Sequence, residues 1–297
     1  MPELPEVEVI RQFLTPKLVG LSFIHLDILN PGSFSGQPRL FLGQKITALS
    51  RLGKQLSIHF GPKLSLLVHL KMTGQLIYQD QSSSTTLGHA SPRRSSHTRL
   101  IFTLSDSSKL FFNDMRKFGW IRLLKTYQLK KFQANLGPDL LSPKFTPSYF
   151  RRQLRSSSRP VKSLLHDQNR FAGIGNIYAN DALFLAGIHP LTPSNKISSL
   201  KSKKLHLYLL QIINQSVKAG GSTARDNQYL RPDASPGTNQ YHFRVYQRQG
   251  QPCLVCSTPI EKIKVSGRST FFCPHCQNFL QFTSSHIRQL FFIDHDQ

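Results

Sequence analysis

Two groups of residues in this chain carry chemistry by type and spacing alone. The first is Met-Pro-Glu at positions 1–3. Loss of the initiator methionine before a small residue leaves Pro2 with a free secondary amine. An α-amino group titrates near pH 8, so a useful fraction is unprotonated at neutral pH without the deep burial that a lysine nucleophile requires. Attack of such an amine on the anomeric carbon of a sugar gives an iminium, which is permanently positive and draws electrons, so that loss of the 3′ and then the 5′ phosphate follows. Glu3, its neighbour, is placed to protonate the sugar ring oxygen and to move protons during these steps.

The second group is Cys253-x-x-Cys256 and Cys273-x-x-Cys276, with sixteen residues between the pairs. That spacing fits a structural zinc ion held by four thiolates, each knuckle supplying two sulfurs to one side of a tetrahedron. Disulfides or loose thiols are the alternatives, but all four cysteines are confined to this stretch and the chain shows no export signal. Between the pairs, IEKIKVSGRSTFF reads as a hairpin turning at Ser266-Gly267, with Arg268 at its tip. A turn arginine is ordinarily solvated; on a metal-stapled hairpin it can also hold a cation rigidly against a phosphate.

The elements around these groups follow from pattern. Glutamate occurs only at positions 3, 6, 8 and 261. Pro5 suits the first turn of a helix, and acidic groups there favour the helix dipole, which accounts for Glu6 and Glu8 but not for Glu3, which precedes the helix. Val7, Ile10, Leu14 and Leu18 trace one apolar face of that helix. From Leu21 to about Leu124 the period is two: Ile24, Leu26 and Ile28 alternate with Phe23, His25 and Asp27, then Leu56, Ile58 and Phe60, then Leu64 to Met72. This predicts antiparallel strands in a sandwich, with turns at Gly61-Pro62 and at Asp106-Ser107-Ser108, and a Ser/Thr-rich exposed loop over 81–96. A connector spans about Tyr127 to Pro143. Helices are then expected from Thr146-Pro147, over VKSLLHDQN, from Asn176 to Leu185 and from Ser198 to Lys218, where Gly220-Gly221 stop the last helix. The segment Ser222 to Thr238 has little apolar periodicity and reads as a functional or mobile loop.

Composition bounds the partner. Lys plus Arg number 38 against 15 Asp plus Glu, a formal net charge of +23, which points to a polyanion, nucleic acid before membrane. No run of about 18 apolar residues is present, and MPELPEVEVI lacks the basic and apolar parts of a signal peptide; a soluble, cytoplasmic protein is expected. In AGIGNIY, Gly173 and Gly175 permit close backbone approach just before a helix whose first amides favour anions, with Asn176 at or near the cap. Lys54 follows the turn-like Arg51-Leu52-Gly53 and is either a phosphate contact or a solvated lysine. An enzyme acting on a base must extrude it and fill the gap. Met72 in HLKMTGQL and Arg116 and Phe118 in NDMRKFGW suit that task as an apolar wedge plus an arginine for the orphaned base, although taken singly Met72 and Phe118 read as core.

Together MPELPEVE, RLGK, HLKMTG, DMRKFG, LHDQNRFAGIGNIYANDALFLAGIHP and the four-cysteine finger resemble the formamidopyrimidine-DNA glycosylase family, in order, from residue 2 to about 277. The resemblance implies an α+β fold: an N-terminal antiparallel β-sandwich flanked by helices, then a helix-two-turn-helix domain with a C-terminal β-hairpin zinc finger. It places the catalytic domain at 1–128, a linker at 129–143, the helical domain and lesion-capping loop at 144–243, the zinc finger at 244–279 and an extension at 280–297. It implies excision of 8-oxoguanine and formamidopyrimidines from double-stranded DNA followed by β,δ-elimination, by a monomer with one Zn2+ in a bacterial-type, nucleoid-associated setting. Pro2 would be the nucleophile, Glu3 the proton donor and acceptor, and Glu6 a supporting acid. Lys54, Asn176 and Arg268 would clamp phosphates, His97, Lys117 and Lys162 would add DNA contacts, and Met72, Arg116 and Phe118 would fill the void. Gly220 to Tyr241, with Arg225 and Asp226, would close over the flipped base.

The chain departs from the family pattern in four places. Lys71 replaces the glycine usual before the wedge methionine, Asp181 stands where glutamate is common, and Arg99 replaces a frequent histidine. The chain also runs on past the finger, where Phe279, Phe282, Leu290, Phe291 and Phe292 are expected to pack back on the protein. Two rivals remain at this stage. The endonuclease VIII-like branch prefers oxidised pyrimidines, against which stand the leucine of MPELPE and the Met72, Arg116, Phe118 set. A non-catalytic zinc DNA-binding module would have no use for Pro2, Glu3 and Lys54.

Overall fold

The structure is a computed structural model in which residues 2–81, 94–223 and 229–279 are described. Most of the Ser/Thr-rich loop, Arg225 and Asp226, and the extension at 280–297 therefore lie outside the described residues. Two compact units emerge. One comprises Met1–Phe145, Asp167–Gly175 and Leu210–His242, the other Thr146–His166, Asn176–Leu209 and Phe243–Gln297.

In the first unit, helix α1 (Leu4–Leu18) starts from Glu3 as an extended N-cap, with proline in its first turn. Val7, Ile10, Leu14 and Leu18 are buried as their spacing requires. Nine strands follow: β1 (Phe23–Ile28), β2 (Phe34–Ser35), β3 (Ala48–Leu52), β4 (Gln55–Phe60), β5 (Leu64–His69), β6 (Gly74–Gln79), β7 (Thr98–Leu104), β8 (Lys109–Asp114) and β9 (Trp120–Lys125). They form two sheets, β1-β7-β8-β6 and β2-β9-β5-β4-β3. All pairings are antiparallel except the two-residue β2, which runs parallel to β9. One apolar cluster joins α1 to both sheets through Phe23, Ile58, Val68, Leu100 and Phe112. The outer face of the first sheet is apolar as well, with Ile77, Ile101 and Phe111 packed under Leu230 and Ala234.

Three local expectations change. In β1 the buried residue is Phe23, while Ile24 is 52% exposed, because the register shifts between Phe23 and His25 and moves the apolar phase by one residue. The stretch expected as a connector begins with helix α2 (Thr126–Gln133), which packs on β9 and β5. The helix expected over VKSLLHDQN is confined to α4 (Val161–Leu165).

The second unit contains α3 (Pro147–Arg155), whose N-cap Thr146 accepts the Tyr149 N–H at 3.1 Å, together with α4 and α5 (Asn176–Leu185). Helix α6 (Ser199–Lys218) begins in this unit and ends in the other, followed by Gly220 and Gly221 at φ 72° and 82°. Strands β10 (Glu261–Val265) and β11 (Arg268–Phe272) pair with Val265 opposite Arg268, leaving Ser266-Gly267 as a two-residue turn with φ of 48° and 73°. Positive φ at both positions matches the right-handed twist of the strands.

Met72 is not in a strand. It belongs to the turn from His69 to Gly74, closed by the Gly74 N–H on the Leu70 carbonyl at 2.9 Å, and Lys71 within it has φ 52°. The departure from glycine thus puts a β-carbon into the left-handed region. Lys71→Gly should raise stability by about 0.5–1 kcal/mol, the relief of left-handed strain less the extra freedom of glycine in the unfolded chain. Chemical denaturation measures it, and a lower midpoint for the variant would show that the lysine side chain holds the turn.

Candidate functional site

The start of the chain is held on all sides. Glu3 is 2% and Glu6 1% exposed, and Pro2 is buried with them. The Glu3 N–H donates to Glu6 Oε2 at 2.8 Å, while Glu6 Oε1 accepts the Ser222 N–H at 2.9 Å. One carboxylate therefore ties the residue after Pro2 to the start of the segment that follows Gly221. Tyr229 packs against Gly221 and donates to the Gly220 carbonyl at 3.2 Å; burial first, then the nearby Glu6 charge, holds its phenol well above the ordinary value.

Below lies a strip of backbone at 172–175. The Leu4 N–H reaches the Gly173 carbonyl at 3.4 Å, and a β-carbon at Gly173 would strike the Leu4 side chain. A β-carbon at Gly175 would fall on the Glu3 carboxyl group. Gly53, at φ 58°, lies on Ala172 and Gly173 with 3.2 Å to either neighbour from a built β-carbon. The strip thus brings the Glu3 carboxylate and the turn bearing Lys54 onto one platform, the shared reason for glycines at 53, 173 and 175.

Sequence reasoning missed His69. It ends β5 opposite Trp120, its Nδ1 accepts the Lys71 N–H at 3.0 Å, and the two rings lie 5.6 Å apart. Burial, with the Lys71 and Lys54 charges adding to it, lowers its pKa to about 4, so the imidazole is neutral at pH 7 beside two ammonium groups. HLKMTG contained the residue, but only an adjacent charge pattern, invisible in one dimension, singles it out. The Arg122 guanidinium lies over the Trp120 indole at 4.3 Å and 5.7 Å from Phe132 of α2.

The residues expected to fill the void sit on two turns joined by a hydrogen bond. Met72 is 39% and Phe118 53% exposed, and the Arg116 guanidinium lies 4.8 Å over the Phe118 ring. Their two loops are joined by Asp114 and Thr73, a pair the sequence did not single out. Asp114 accepts the Thr73 hydroxyl, the Arg116 N–H at 3.2 Å and the Gly119 N–H at 2.7 Å, and Thr73 Oγ1 accepts the Arg116 N–H at 3.0 Å. Arg99 has a structural use here, its Nε donating to the Asp114 carbonyl at 2.8 Å. Lys117 is exposed on the second of these turns at φ 59°, and His97, exposed just before β7, accepts the Asp114 N–H on its carbonyl at 2.8 Å.

In the second unit, Asn176 Nδ2 and Lys162 Nζ both donate to the Ser269 carbonyl at 3.0 Å, and Lys162 reaches Thr270 Oγ1 at 2.6 Å. Lys162 is 0% exposed, which corrects the expectation of a surface contact with DNA. Its ammonium is spent bracing β11, one residue from the exposed Arg268. Asp181 explains its own departure. Its carboxylate accepts the N–H groups of Arg244, Val245 and Tyr246 at 3.0, 3.0 and 3.1 Å, so its contact lies within the helical and zinc-finger unit; burial nevertheless raises its pKa. Phe279 packs on His189 with ring centroids 4.6 Å apart, the one described part of the expected tail packing.

The four cysteine sulfurs lie within 4.8 Å of one another, with separations of 3.4 Å for Cys256–Cys273 and Cys256–Cys276 and 3.8 Å for Cys253–Cys276. A tetrahedron with Zn–S bonds of about 2.3 Å has edges of about 3.8 Å. The donor set fits a single structural zinc ion, and Cys253 and Cys273 anchor it against Phe184, Val245, Ile260 and Phe271. Among the described residues no helix is long and apolar enough to cross a membrane.

A β-sandwich headed by Pro-Glu, a helix-two-turn-helix unit and a four-thiolate hairpin define a class of DNA-repair fold, and the comparisons agree. The chain matches the sequence profiles of the formamidopyrimidine-DNA glycosylase N-terminal domain over residues 1–121, of the H2TH domain of the same enzyme over 136–228, and of the zinc finger found in FPG and IleRS over 250–278. It is 38% identical over 286 residues to formamidopyrimidine-DNA glycosylase of Chloroflexus aurantiacus, covering 95% of this chain and 99% of that one. The crystal structure of the MutM (Fpg) protein of Thermus thermophilus superposes with a TM-score of 0.82 at 35% identity, covering 93% and 98% of the two chains. A variant of the Lactococcus lactis Fpg in complex with Fapy-dG-containing DNA gives 0.83 at 34%, covering 93% and 100%. The chain belongs to the formamidopyrimidine-DNA glycosylase family, whose members act in base excision repair.

Because metal binding in so small a module is also its folding energy, chelating the zinc or substituting Cys273→Ser should unfold the hairpin and release Ser269 from Lys162 and Asn176. Lesion-DNA affinity should fall while the thermal transition of the β-sandwich persists. Metal analysis that finds no zinc, with affinity unchanged by chelators, would mean the cluster is not a metal site.

Proposed function

We propose that this protein is a bifunctional DNA glycosylase and apurinic/apyrimidinic lyase that removes oxidised purines, 8-oxoguanine and formamidopyrimidines, from double-stranded DNA in the bacterial cytoplasm, at the nucleoid. The observation that carries the reading is the burial of Pro2 and Glu3 at the head of α1, with the Glu3 carboxylate against Gly175 and its N–H fixed by Glu6. The Lactococcus lactis relative is seen with Fapy-dG in its DNA, which supports the substrate class.

The division of labour we assign follows the chain: catalysis at 1–128, a linker at 129–143, DNA binding and lesion capping at 144–243 and the zinc finger at 244–279. The free amine of Pro2, exposed by loss of Met1, attacks the anomeric carbon of the damaged nucleoside as the bond to the base breaks and its electrons leave with the base. Glu3 protonates the ring oxygen as the sugar opens, and the iminium then accepts the electrons released when a proton leaves the adjacent carbon. The 3′ and then the 5′ phosphate depart. Lys54, Asn176 and Arg268 bind phosphates flanking the lesion, with His69 as a fixed neutral donor or acceptor between Lys54 and Lys71. Met72 and Phe118 fill the vacated stack and Arg116 meets the orphaned base. The role of Arg225 and Asp226 over the extruded base belongs to the same reading.

Borohydride trapping on duplex DNA containing 8-oxoguanine tests the chemistry. The native protein should become covalently attached, whereas a form that retains Met1 should not, with DNA affinity preserved because that comes from distributed phosphate contacts. Full trapping with Met1 demonstrably present would sink the amine mechanism, and no trapping on any lesion would leave a DNA-binding module.

Arg116 separates the purine from the pyrimidine branch. An arginine can donate to the O2 and N3 acceptors of an orphaned cytosine, and adenine offers no such pair. A bidentate base contact is worth about 1–3 kcal/mol, or roughly 5- to 150-fold. Arg116→Ala should therefore slow single-turnover excision opposite cytosine far more than opposite adenine, shrinking the preference by a factor in that range. Equal slowing of both duplexes would show that Arg116 does not read the opposite base.

A further inference from the structure

Arg51, on β3, has a side chain only 6% exposed. Its Nε donates to Glu8 Oε2 of α1 at 2.9 Å, its Nη2 to Asp139 Oδ1 at 2.9 Å, and its Nη1 to Asp139 Oδ2 as well as to the Gly53 carbonyl at 3.0 Å. Asp139 is as deeply buried, and it accepts the Gly53 N–H at 2.7 Å and the Leu141 N–H at 3.0 Å. Residues 137–139 are in turn tied to the strip below the site, through the Gly137 N–H on the Gln168 carbonyl at 2.9 Å and the Ala172 N–H on the Pro138 carbonyl at 3.1 Å. On its other flank Glu8 accepts Arg11 and Gln12.

Stability alone gives a poor account of this cluster. A buried ion pair costs so much desolvation that well-packed apolar residues of the same volume serve as well or better. What the pair does that apolar residues cannot do is hold one glycine from both sides. The N–H of Gly53 goes to Asp139 and its C=O takes a hydrogen bond from Arg51, so the peptide planes before and after it are fixed at the residue type with the widest backbone freedom. The next residue is Lys54. Through Glu8 the same guanidinium also references that turn to α1, the helix that begins beside Pro2.

We infer that Arg51 and Asp139 are positioning residues for Lys54, setting the direction of its side chain relative to the head of α1 by clamping the Gly53 peptide units. The inference rests on the reading of Lys54 as a phosphate contact at the lesion. It predicts that the pair matters to the reaction only through Lys54.

Single-turnover excision of 8-oxoguanine from a duplex and the thermal midpoint are to be measured for Arg51→Lys, Asp139→Asn, Lys54→Gln and the two doubles with Lys54→Gln. Misplacement of a contact by an ångström can cost about 10²-fold, so Arg51→Lys should slow excision by roughly 10- to 100-fold, with a smaller loss for Asp139→Asn. In the Lys54→Gln background neither should slow it further by more than about 2-fold, the ordinary limit of additivity between independent sites. The midpoint should fall by the same amount in both backgrounds. Losses that multiply in the doubles would overturn the inference and leave the reading of Lys54 standing. A wild-type rate for both Arg51→Lys and Asp139→Asn would do the same. A wild-type rate for Lys54→Gln would remove that reading and the inference with it. If Arg51→Lys does not fold, Asp139→Asn decides, since it keeps the volume and an acceptor for Gly53.

Discussion

A nucleophile that is the end of the chain has a covalent neighbour on one side only, and chain ends are the least ordered parts of most domains. In the mechanism proposed above Pro2 is such a nucleophile, and the contacts around it answer to that constraint. The N-cap of α1 is the first place where the backbone can be fixed, and the Glu6 carboxylate fixes it at the Glu3 N–H. The glycine strip at 173–175 then removes the space into which Leu4 and Glu3 would otherwise move. A helix N-terminus favours negative charge, which suits Glu6 in the first turn of α1. The helix in turn is immobilised by its apolar face in the core shared by both sheets.

Much of this was legible in one dimension. The face Val7, Ile10, Leu14, Leu18 fixed α1, the four cysteines fixed the zinc hairpin, and the turn at Ser266-Gly267 follows from composition and strand spacing. The elements that escaped did so for local physical reasons. In β1 a register shift put Phe23 inward against an alternation that suggested Ile24 and Ile28. Helix α2 is only eight residues long, too short for its period to stand out. The resemblance alone places Lys162 among the DNA contacts, and only three dimensions supply the Ser269 and Thr270 acceptors that make its burial tolerable. His69, Asp114 and Thr73 matter by what they touch across the sandwich, and no spacing rule joins residues 73 and 114.

Two of the strained backbone positions lie on the turns that carry Met72 and Phe118. Lys71 and Lys117, two of the seven non-glycine residues with positive φ among the described ones, each flank a wedge residue, Met72 and Phe118. Left-handed lysines cost free energy that well-formed surroundings must offset. Here the offset comes from fixed neighbours: the Asp114–Thr73 pair joining the two turns and the His69 Nδ1 acceptor under Lys71. The result is a pair of short, tightly closed turns that lift an apolar tip and a stacked arginine above a rigid sheet, with no long loop involved.

Trp120 is the single tryptophan of the chain, and it touches both the His69 ring and the Arg122 guanidinium. Light absorbed at the red edge of the protein's ultraviolet band is therefore emitted by one indole, placed cross-strand from the residue beside Lys54. Imidazole and guanidinium both perturb indole emission, and a charge brought near His69 changes that perturbation. The protein carries its own optical gauge beside His69, and events near the proposed site can be followed in time without a dye or a modified nucleic acid.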